Sequence, residues 1–130
     1  MRTVTTWNKK HEFESRQGDN IIKLDGNKEH GFSPKALLLA GLAGCSGVDV
    51  VDILTKMRVD FSHFEIETEA TQTDDHPKVF KDVIITYKVK TAKENEEKVK
   101  KAIDLSLEKY CGVSAMLRKN SPVNYRLVIE

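Results

Sequence analysis

The hydrophobic and polar positions divide the chain into segments with two different periods. Period-two alternation, which is typical of half-buried strands, covers 64–71 and 83–90, where apolar side chains alternate with Glu, Thr, Ile or Lys. Helical spacing covers two other segments. The first begins at Ser33-Pro34, where Ser suits the N-cap and Pro the first helical position, and extends to about Met57. The second begins at a capping-box pattern, Thr91 to Glu94, and its apolar stripe is Val99, Ala102, Ile103, Ser106, Leu107 and Tyr110.

The remaining segments complete an α+β pattern. Residues 2–8, 11–16 and 20–24 are short strand candidates separated by turn signals, which predicts an antiparallel meander. Cys111-Gly112 interrupts the second helix, a short third helix is predicted over 113–119, and a last strand over 123–129. Strands, helix, hairpin, helices and strand in this order predict one α+β domain over residues 1–130.

The first helix has an unusual composition. Residues 36–51 are apolar or small nearly all round, and Gly41, Gly44 and Gly47 interrupt the run. Each glycine costs about 1 kcal/mol relative to Ala inside a helix, so close approach of another backbone is the expected compensation. A helix that is apolar all round must be buried all round, and one small domain offers limited cover. The pattern therefore predicts a partner subunit, most simply in a homodimer.

Composition narrows the class of protein. Of 130 residues, 39% are hydrophobic and 32% charged, which is typical of a soluble globular chain. The net charge is +1, which argues against a nucleic-acid binder. The N-terminus lacks an apolar signal segment, and the apolar run 36–43 is far shorter than the roughly 20 residues of a membrane span. We therefore expect a cytoplasmic protein with no nucleic-acid or membrane partner.

Two cysteines are the candidates for chemistry. Cys45 and Cys111 lie 66 positions apart without CxxC spacing, and the four histidines are scattered, so we expect no metal or cofactor. In a reducing compartment such cysteines are buried hydrophobes, free thiols or a catalytic pair. Cys45 lies among small residues that would leave its thiol approachable. Cys111 lies at a helix junction, where backbone N–H groups favour a thiolate.

A family resemblance favours the catalytic pair. The run from Ser33-Pro34 to Cys45-Ser46, with a Leu/Ala/Gly stretch between, resembles the first cysteine motif of the OsmC/Ohr family, and 108–114, Glu-Lys-Tyr-Cys-Gly-Val-Ser, resembles the second. The runs 45–51 and 105–111 are similar to the YhfA-like branch. The likeness covers essentially the whole chain, and it implies antiparallel sheets packed around two central helices in an intertwined homodimer with active sites at the interface.

The resemblance also implies an activity. In the family, the first cysteine reduces an organic or hydrogen peroxide and becomes a sulfenic acid, the second condenses with it, and a dithiol reductant restores both. Carried over, Cys45 is the peroxidatic cysteine and Cys111 the resolving one. A second thiol stops oxidation before the irreversible sulfinic step.

The sequence departs from the family at one point. The family pairs its reactive sulfur with an Arg, which is held by a Glu one or two positions after the motif proline; here those positions are Lys35 and Ala36. Arg16 is the candidate for the activating cation, and the alternative is a solvated loop residue. Asp49, one turn after Cys45, is expected to make a helix-surface or interface hydrogen bond. Without the Glu, we expect Cys45 to be less activated than in strong peroxidases.

Two other functions stay open. A non-catalytic module of the same fold would use an interfacial pocket to bind a small apolar or thiol-bearing ligand, and the missing Glu favours this alternative. Thiol–disulfide exchange without peroxide is disfavoured because there is no CxxC motif.

Overall fold

The computed structural model describes residues 1–130. Contacts within the chain separate it into two compact units, residues 1–38 and 39–130. The strands are β1 (Val4–Lys9), β2 (Glu12–Gln17), β3 (Asn20–Asp25), β4 (Phe61–Gln72), β5 (Phe80–Thr91) and β6 (Val123–Ile129). The helices are α1 (Pro34–Lys56), α2 (Glu96–Leu105) and α3 (Gly112–Arg118), with a 3₁₀ turn at Lys93–Asn95 and a π-helical turn at Ser106–Tyr110.

The first unit contains the predicted antiparallel meander. β1 pairs with β2, and β2 pairs with β3. The loop after β3 is organised by the buried carboxylate of Asp25, which accepts hydrogen bonds from the backbone N–H groups of Asn27, Glu29 and His30 at 2.8, 3.2 and 3.0 Å. These bonds satisfy loop donors that have no strand partner and so fix the path of the chain toward α1.

The second unit contains a mixed sheet in the order β4-β5-β6. β4 and β5 form the predicted antiparallel hairpin, with alternate residues half-buried on β4. β6, however, pairs with β5 in parallel, so the expectation of antiparallel sheets is wrong for this strand. The reason is the connection: α2 and α3 carry the chain back across the sheet before β6 begins, and such a crossover joins parallel strands. The α+β fold class itself is confirmed.

Helix α1 buries one face in the core of the second unit. Leu42, Ser46, Val50 and Leu54 are all 0% exposed and recur at every fourth position. They join a cluster that includes Val83, Ile85 and Tyr87 of β5 and Val99, Ala102 and Ile103 of α2. The helix begins at Pro34 as predicted and ends at Lys56, one residue before the predicted end.

The outer face of α1 remains apolar and exposed. Val48 is 63% exposed and Val51 is 39% exposed. A Cβ placed on Gly41 or Gly44 would meet nothing within 4 Å. The close backbone approach that these glycines predicted is therefore not made within the chain.

By length and mean hydropathy, 1.8 over its most apolar window, α1 also meets the criteria for a membrane span. One such helix is weak evidence, because core helices pass the same test, and α1 carries the core residues just described.

The start and the end of the second helical segment differ from the prediction. The capping box is wrong: β5 continues to Thr91, whose hydroxyl donates to the Asp60 carbonyl at 2.6 Å, and α2 begins only at Glu96, after the 3₁₀ turn. The predicted stripe is buried from Val99 to Leu107, but Tyr110 is 54% exposed. The π turn widens the helix there and rotates Tyr110 off the stripe.

Leu54→Ala is expected to lower the free energy of unfolding by about 2–5 kcal/mol, because it opens a cavity in the core. The matched control is Leu38→Ala on the same helix, where the side chain is 51% exposed and the expected cost is below about 1 kcal/mol. Urea unfolding followed by circular dichroism measures both. Equal losses would contradict the assignment of the buried face.

Candidate active site

Cys45 lies near the middle of α1, one residue before the buried Ser46. Its side chain is half-buried and packs against the core cluster. The position follows from the helical spacing: because Ser46 points into the core, its neighbour lies on the edge of the buried face. The thiol is therefore held by the core without being fully enclosed by it.

Cys111 lies between the π turn and α3 and is buried, with 3% exposure. It has an extended backbone, and its N–H donates to the Ser106 carbonyl at 2.7 Å. As the N-cap of α3, its sulfur accepts a hydrogen bond from the Ser114 N–H at 3.4 Å. The predicted helix junction is therefore present, and the sulfur takes the place that Ser or Asp usually fills at a helix start.

The two thiols meet in the second unit. Both cysteines are free, and they lie near enough for Cys45 to act on Cys111. Burial raises the pKa of Cys111; the Ser114 N–H opposes this, and the neighbouring Cys45 raises the pKa further. The helix start thus favours a thiolate as predicted, but desolvation outweighs it. The arrangement has the contact that disulfide formation between two thiols requires.

A buried set of hydroxyl groups adjoins the cysteines. Ser46 Oγ lies 2.6 Å from the Tyr87 hydroxyl and 2.9 Å from Ser106 Oγ, and Ser106 donates to Asp49 Oδ2 at 3.0 Å. Sequence reasoning anticipated a hydrogen bond only for Asp49. The hydrogen bonds between the hydroxyl groups could have been predicted from the serine in each apolar helical stripe, because a hydroxyl in a core must find a partner.

The hydrogen bonds around Leu107 complete the support for Cys111. The Leu107 carbonyl lies in the π turn and accepts from the Ser114 hydroxyl at 3.3 Å and from the Arg118 guanidinium. Ser114 also donates to the Cys111 carbonyl at 3.0 Å. These donors replace helical partners that the chain loses where the helix is interrupted.

Arg16, the candidate cation, lies on β2 of the first unit, in the predicted N-terminal meander. Its guanidinium donates to Glu14 Oε2 at 3.4 Å, and its side chain is 52% exposed. Glu14 is therefore a carboxylate partner of Arg16. The role of Arg16 toward Cys45 stays a prediction.

Two hollows flank α1 in the second unit. One is an open groove of about 620 Å³ whose lining is mainly apolar: Ala43, Gly44, Gly47, Val48, Val51, Asp52, Phe64 and Ile66. The other, of about 510 Å³, lies between α1 and the second helical segment and includes Asp49, Lys56, Lys101 and Tyr110. Cys45 lies on α1, and neither cysteine is among the residues that line the two hollows.

One group of side chains has the geometry of metal ligands. Glu12, Asp25 and His30 of the first unit bring their ligand atoms within 4.8 Å of one another. Both oxygens of Asp25 already accept backbone hydrogen bonds, so the carboxylate has a structural role that accounts for its burial.

Comparison with known proteins decides the family. The model of the family described as OsmC-like protein matches residues 25–126. Protein YhfA of Escherichia coli strain K12 is 36% identical over 107 residues, which are 82% of this chain and 79% of YhfA. The chain belongs to the OsmC family. The resemblance predicted from the two cysteine motifs is therefore confirmed, including its YhfA-like branch.

Solved structures agree with this OsmC fold. A structure described as a hypothetical protein from Aquifex aeolicus VF5 matches with a TM-score of 0.84 and 27% identity, over 99% of this chain and 96% of that one. OhrB of Bacillus subtilis, an organic hydroperoxide resistance protein, matches with a TM-score of 0.66 and 21% identity, over 97% and 96%. At 21% identity the match to OhrB shows a shared fold alone. Organic hydroperoxide resistance is the function named for OhrB.

We expect the two thiols of this OsmC chain to differ in reactivity. The thiolate is the reacting species; the raised pKa of Cys111 lowers its thiolate fraction, and its burial limits access, so iodoacetamide should modify Cys45 at least about tenfold faster. Raising the pH should increase the Cys111 rate until its pKa is passed. Peptide mass mapping measures both rates. As a control, the two rates should agree within about twofold in denaturant. Faster modification of Cys111 than of Cys45 in the native protein would contradict the prediction that Cys111 is the less reactive thiol.

Proposed function

We propose that this OsmC-family protein reduces organic or hydrogen peroxides with Cys45 as nucleophile and Cys111 as resolving thiol. The observation that carries the proposal is the asymmetry between them: Cys45 is half-buried, whereas Cys111 is buried. Burial and the neighbouring Cys45 raise the pKa of Cys111, which disfavours its thiolate. The two cysteines thus differ in the way that a nucleophile and a resolving thiol must differ.

The oxidation of Cys45 and the formation of the disulfide require only the two thiols, a peroxide and a proton. The Cys45 thiolate attacks one peroxide oxygen, the O–O bond breaks, and the alcohol or water leaves after taking up a proton. Cys45 is then a sulfenic acid. The Cys111 sulfur attacks it, a disulfide forms, and the hydroxide leaves with the Cys111 proton as water. An external dithiol reduces the disulfide and restores both thiols.

Arg16 is the proposed cation at the reactive sulfur, with Glu14 as its carboxylate partner. A positive charge near Cys45 would stabilise the thiolate and the negative charge that develops on the peroxide.

The proposal also assigns the protein to the reducing cytoplasm, where free thiols persist.

The proposal includes a homodimer formed through the outer face of α1. That face exposes Val48 and Val51 beside the apolar groove, and the glycines Gly41 and Gly44 have open space in front of them. Exposed apolar surface of this kind typically marks an association site. A groove closed by a second copy would also offer an apolar channel for an organic peroxide.

The second candidate is a non-catalytic module that binds a small apolar or thiol-bearing ligand in the groove. The observation that favours it is that Cys45 and Cys111 are absent from the lining of both hollows beside α1. The following test separates the two candidates.

Peroxide added to the reduced protein should remove two free thiols per chain. Cys45→Ser should lose all peroxide reactivity, because the nucleophile is gone, whereas Cys111→Ser should form one sulfenic acid and over-oxidise without turning over dithiol. Intact mass after peroxide, with several peroxides compared, measures each state. No thiol loss in the wild type would support the binding module, and equal reactivity of the variants would show that the roles are misassigned.

Val48→Asp should shift the protein from dimer to monomer in sedimentation at micromolar concentration, because it puts a charge into the proposed apolar interface. Val79→Asp is the matched control, since Val79 is also exposed (41%) but lies in the loop before β5. A well-folded wild-type monomer would refute both the dimer and the interfacial site.

A further inference from the structure

Ser106 binds both of the segments that carry the cysteines. It begins the π turn directly after α2 and is 0% exposed. Its hydroxyl lies 2.9 Å from Ser46 Oγ and donates to Asp49 Oδ2 at 3.0 Å. Its carbonyl accepts the Cys111 N–H at 2.7 Å. One residue thus binds α1 with its side chain and Cys111 with its backbone.

The two side-chain bonds hold α1 at the level of Cys45. Ser46 is the residue after Cys45, and Asp49 comes four positions after it, which is about one helical turn. Hydrogen bonds are directional, whereas the apolar contacts of the same helix face are not. Two bonds to one hydroxyl therefore restrain the rotation of α1, and with it the direction of the Cys45 side chain.

The backbone bond holds Cys111. It joins residues five positions apart, which is the π-helical spacing, and it closes the turn after which the backbone of Cys111 becomes extended. The Cys111 sulfur in turn accepts the Ser114 N–H at 3.4 Å. Because Cys111 is held at its own N–H and at its sulfur, its side chain has little freedom to turn.

A short chain of bonds therefore connects the two cysteine backbones. It runs from Cys45 through the peptide bond to Ser46, and from the Ser46 hydroxyl to that of Ser106. The Ser106 carbonyl then reaches the Cys111 N–H. Disulfide geometry is narrow, with Cα atoms about 4.4–6.8 Å apart, so a displacement of about 1 Å between the two segments is costly.

We propose that Ser106 is the positioning residue of the cysteine pair: its hydroxyl and carbonyl hold Cys45 and Cys111 in the relative position in which a disulfide forms. In turnover this rests on the proposed function, where the link would speed the attack of Cys111 on the oxidised Cys45. Outside turnover it requires only that the pair can form a disulfide.

The fold should tolerate the loss of the Ser106 hydroxyl. Ser46 keeps the Tyr87 hydroxyl at 2.6 Å as a partner. Asp49 is half-buried and lines the hollow of about 510 Å³, so water can replace the bond that it loses. The Ser106 carbonyl belongs to the backbone and keeps its bond to Cys111. Ser106→Ala thus removes the link to α1 alone.

The first test is the equilibrium of Ser106→Ala with glutathione. The two protein thiols and oxidised glutathione exchange to give the Cys45–Cys111 disulfide and two molecules of reduced glutathione, so the equilibrium constant reports the effective concentration of one thiol at the other. It should fall at least about tenfold, which is about 30 mV for a two-electron couple. Alkylation of the remaining thiols followed by intact mass measures it. A change below about twofold would overturn the proposal.

Ser121→Ala is the matched control. Ser121 is also a buried serine (3% exposed), and its hydroxyl donates to the Phe80 carbonyl at 2.8 Å, which keeps a second donor in Asn120. Its glutathione equilibrium should stay within about twofold of the wild type, because the lost bond does not reach either cysteine. An equal loss in both variants would mean that any destabilisation weakens the pair, which would refute a specific role for Ser106.

A pair of variants at Asp49 tests the same link from α1. Asp49→Asn keeps an oxygen that accepts from Ser106, whereas Asp49→Ala removes it. The effective concentration should stay within about twofold in the Asn variant and fall at least about threefold in the Ala variant. Losses of equal size in the two variants would mean that the charge of Asp49, and not the bond to Ser106, acts on the pair, which would refute the link.

These measurements need no peroxide, so the two proposals fail separately. A lowered effective concentration in Ser106→Ala, in a protein whose thiols resist peroxide, would support the positioning role and refute the proposed activity. Peroxide-dependent disulfide formation with an unchanged glutathione equilibrium in Ser106→Ala would support the activity and refute the positioning role.

Discussion

The Ser46 hydroxyl is the contact through which α1, β5 and the π turn are joined. It lies in the middle of an otherwise apolar face, with Leu42 one turn before it and Val50 one turn after it. A buried hydroxyl without partners costs about 1–3 kcal/mol, so the rotation of α1 on the sheet must bring Ser46 to both Tyr87 and Ser106. That rotation brings the preceding residue in the chain, Cys45, to Cys111. The contact of the cysteine pair therefore depends on a hydrogen bond that neither cysteine makes.

The π turn at Ser106–Tyr110 sets the other half of this geometry. It rotates Tyr110 away from the core, leaves the Leu107 carbonyl to be satisfied by Ser114 and Arg118, and places Cys111 at the start of a new helix. π-helical turns are uncommon and occur often at functional sites. Here the turn lets one sulfur be buried, hydrogen-bonded to a helix start and in contact with a second sulfur at once.

The electrostatics of this pair follow from burial more than from the helix start. Desolvation raises the pKa of Cys111, and the helix N–H opposes that rise only in part. A pair in which one thiol is kept neutral and the other lies at the edge of the core suits two successive steps, oxidation and then resolution. Around the pair, the exposed valines of α1 and the open space before its glycines leave an apolar surface that the chain itself does not cover.

The sequence by itself determined the family, the order of the elements and the two cysteines. These depend on local period and on motifs that are contiguous in the chain, such as the run from Pro34 to Ser46 and the alternation along β4. The sequence did not determine the parallel pairing of β6, because pairing direction depends on how a crossover returns to the sheet. The capping box also failed, because tertiary pairing extended β5 through Thr91 and outweighed a helix-start preference worth about 1 kcal/mol.

Only the tertiary structure brought Ser46, Tyr87, Ser106 and Asp49 together, since they come from three elements far apart in the chain. Only burial, likewise, decided the direction of the Cys111 pKa shift: the sequence shows the helix start that favours a thiolate, but not the desolvation that outweighs it.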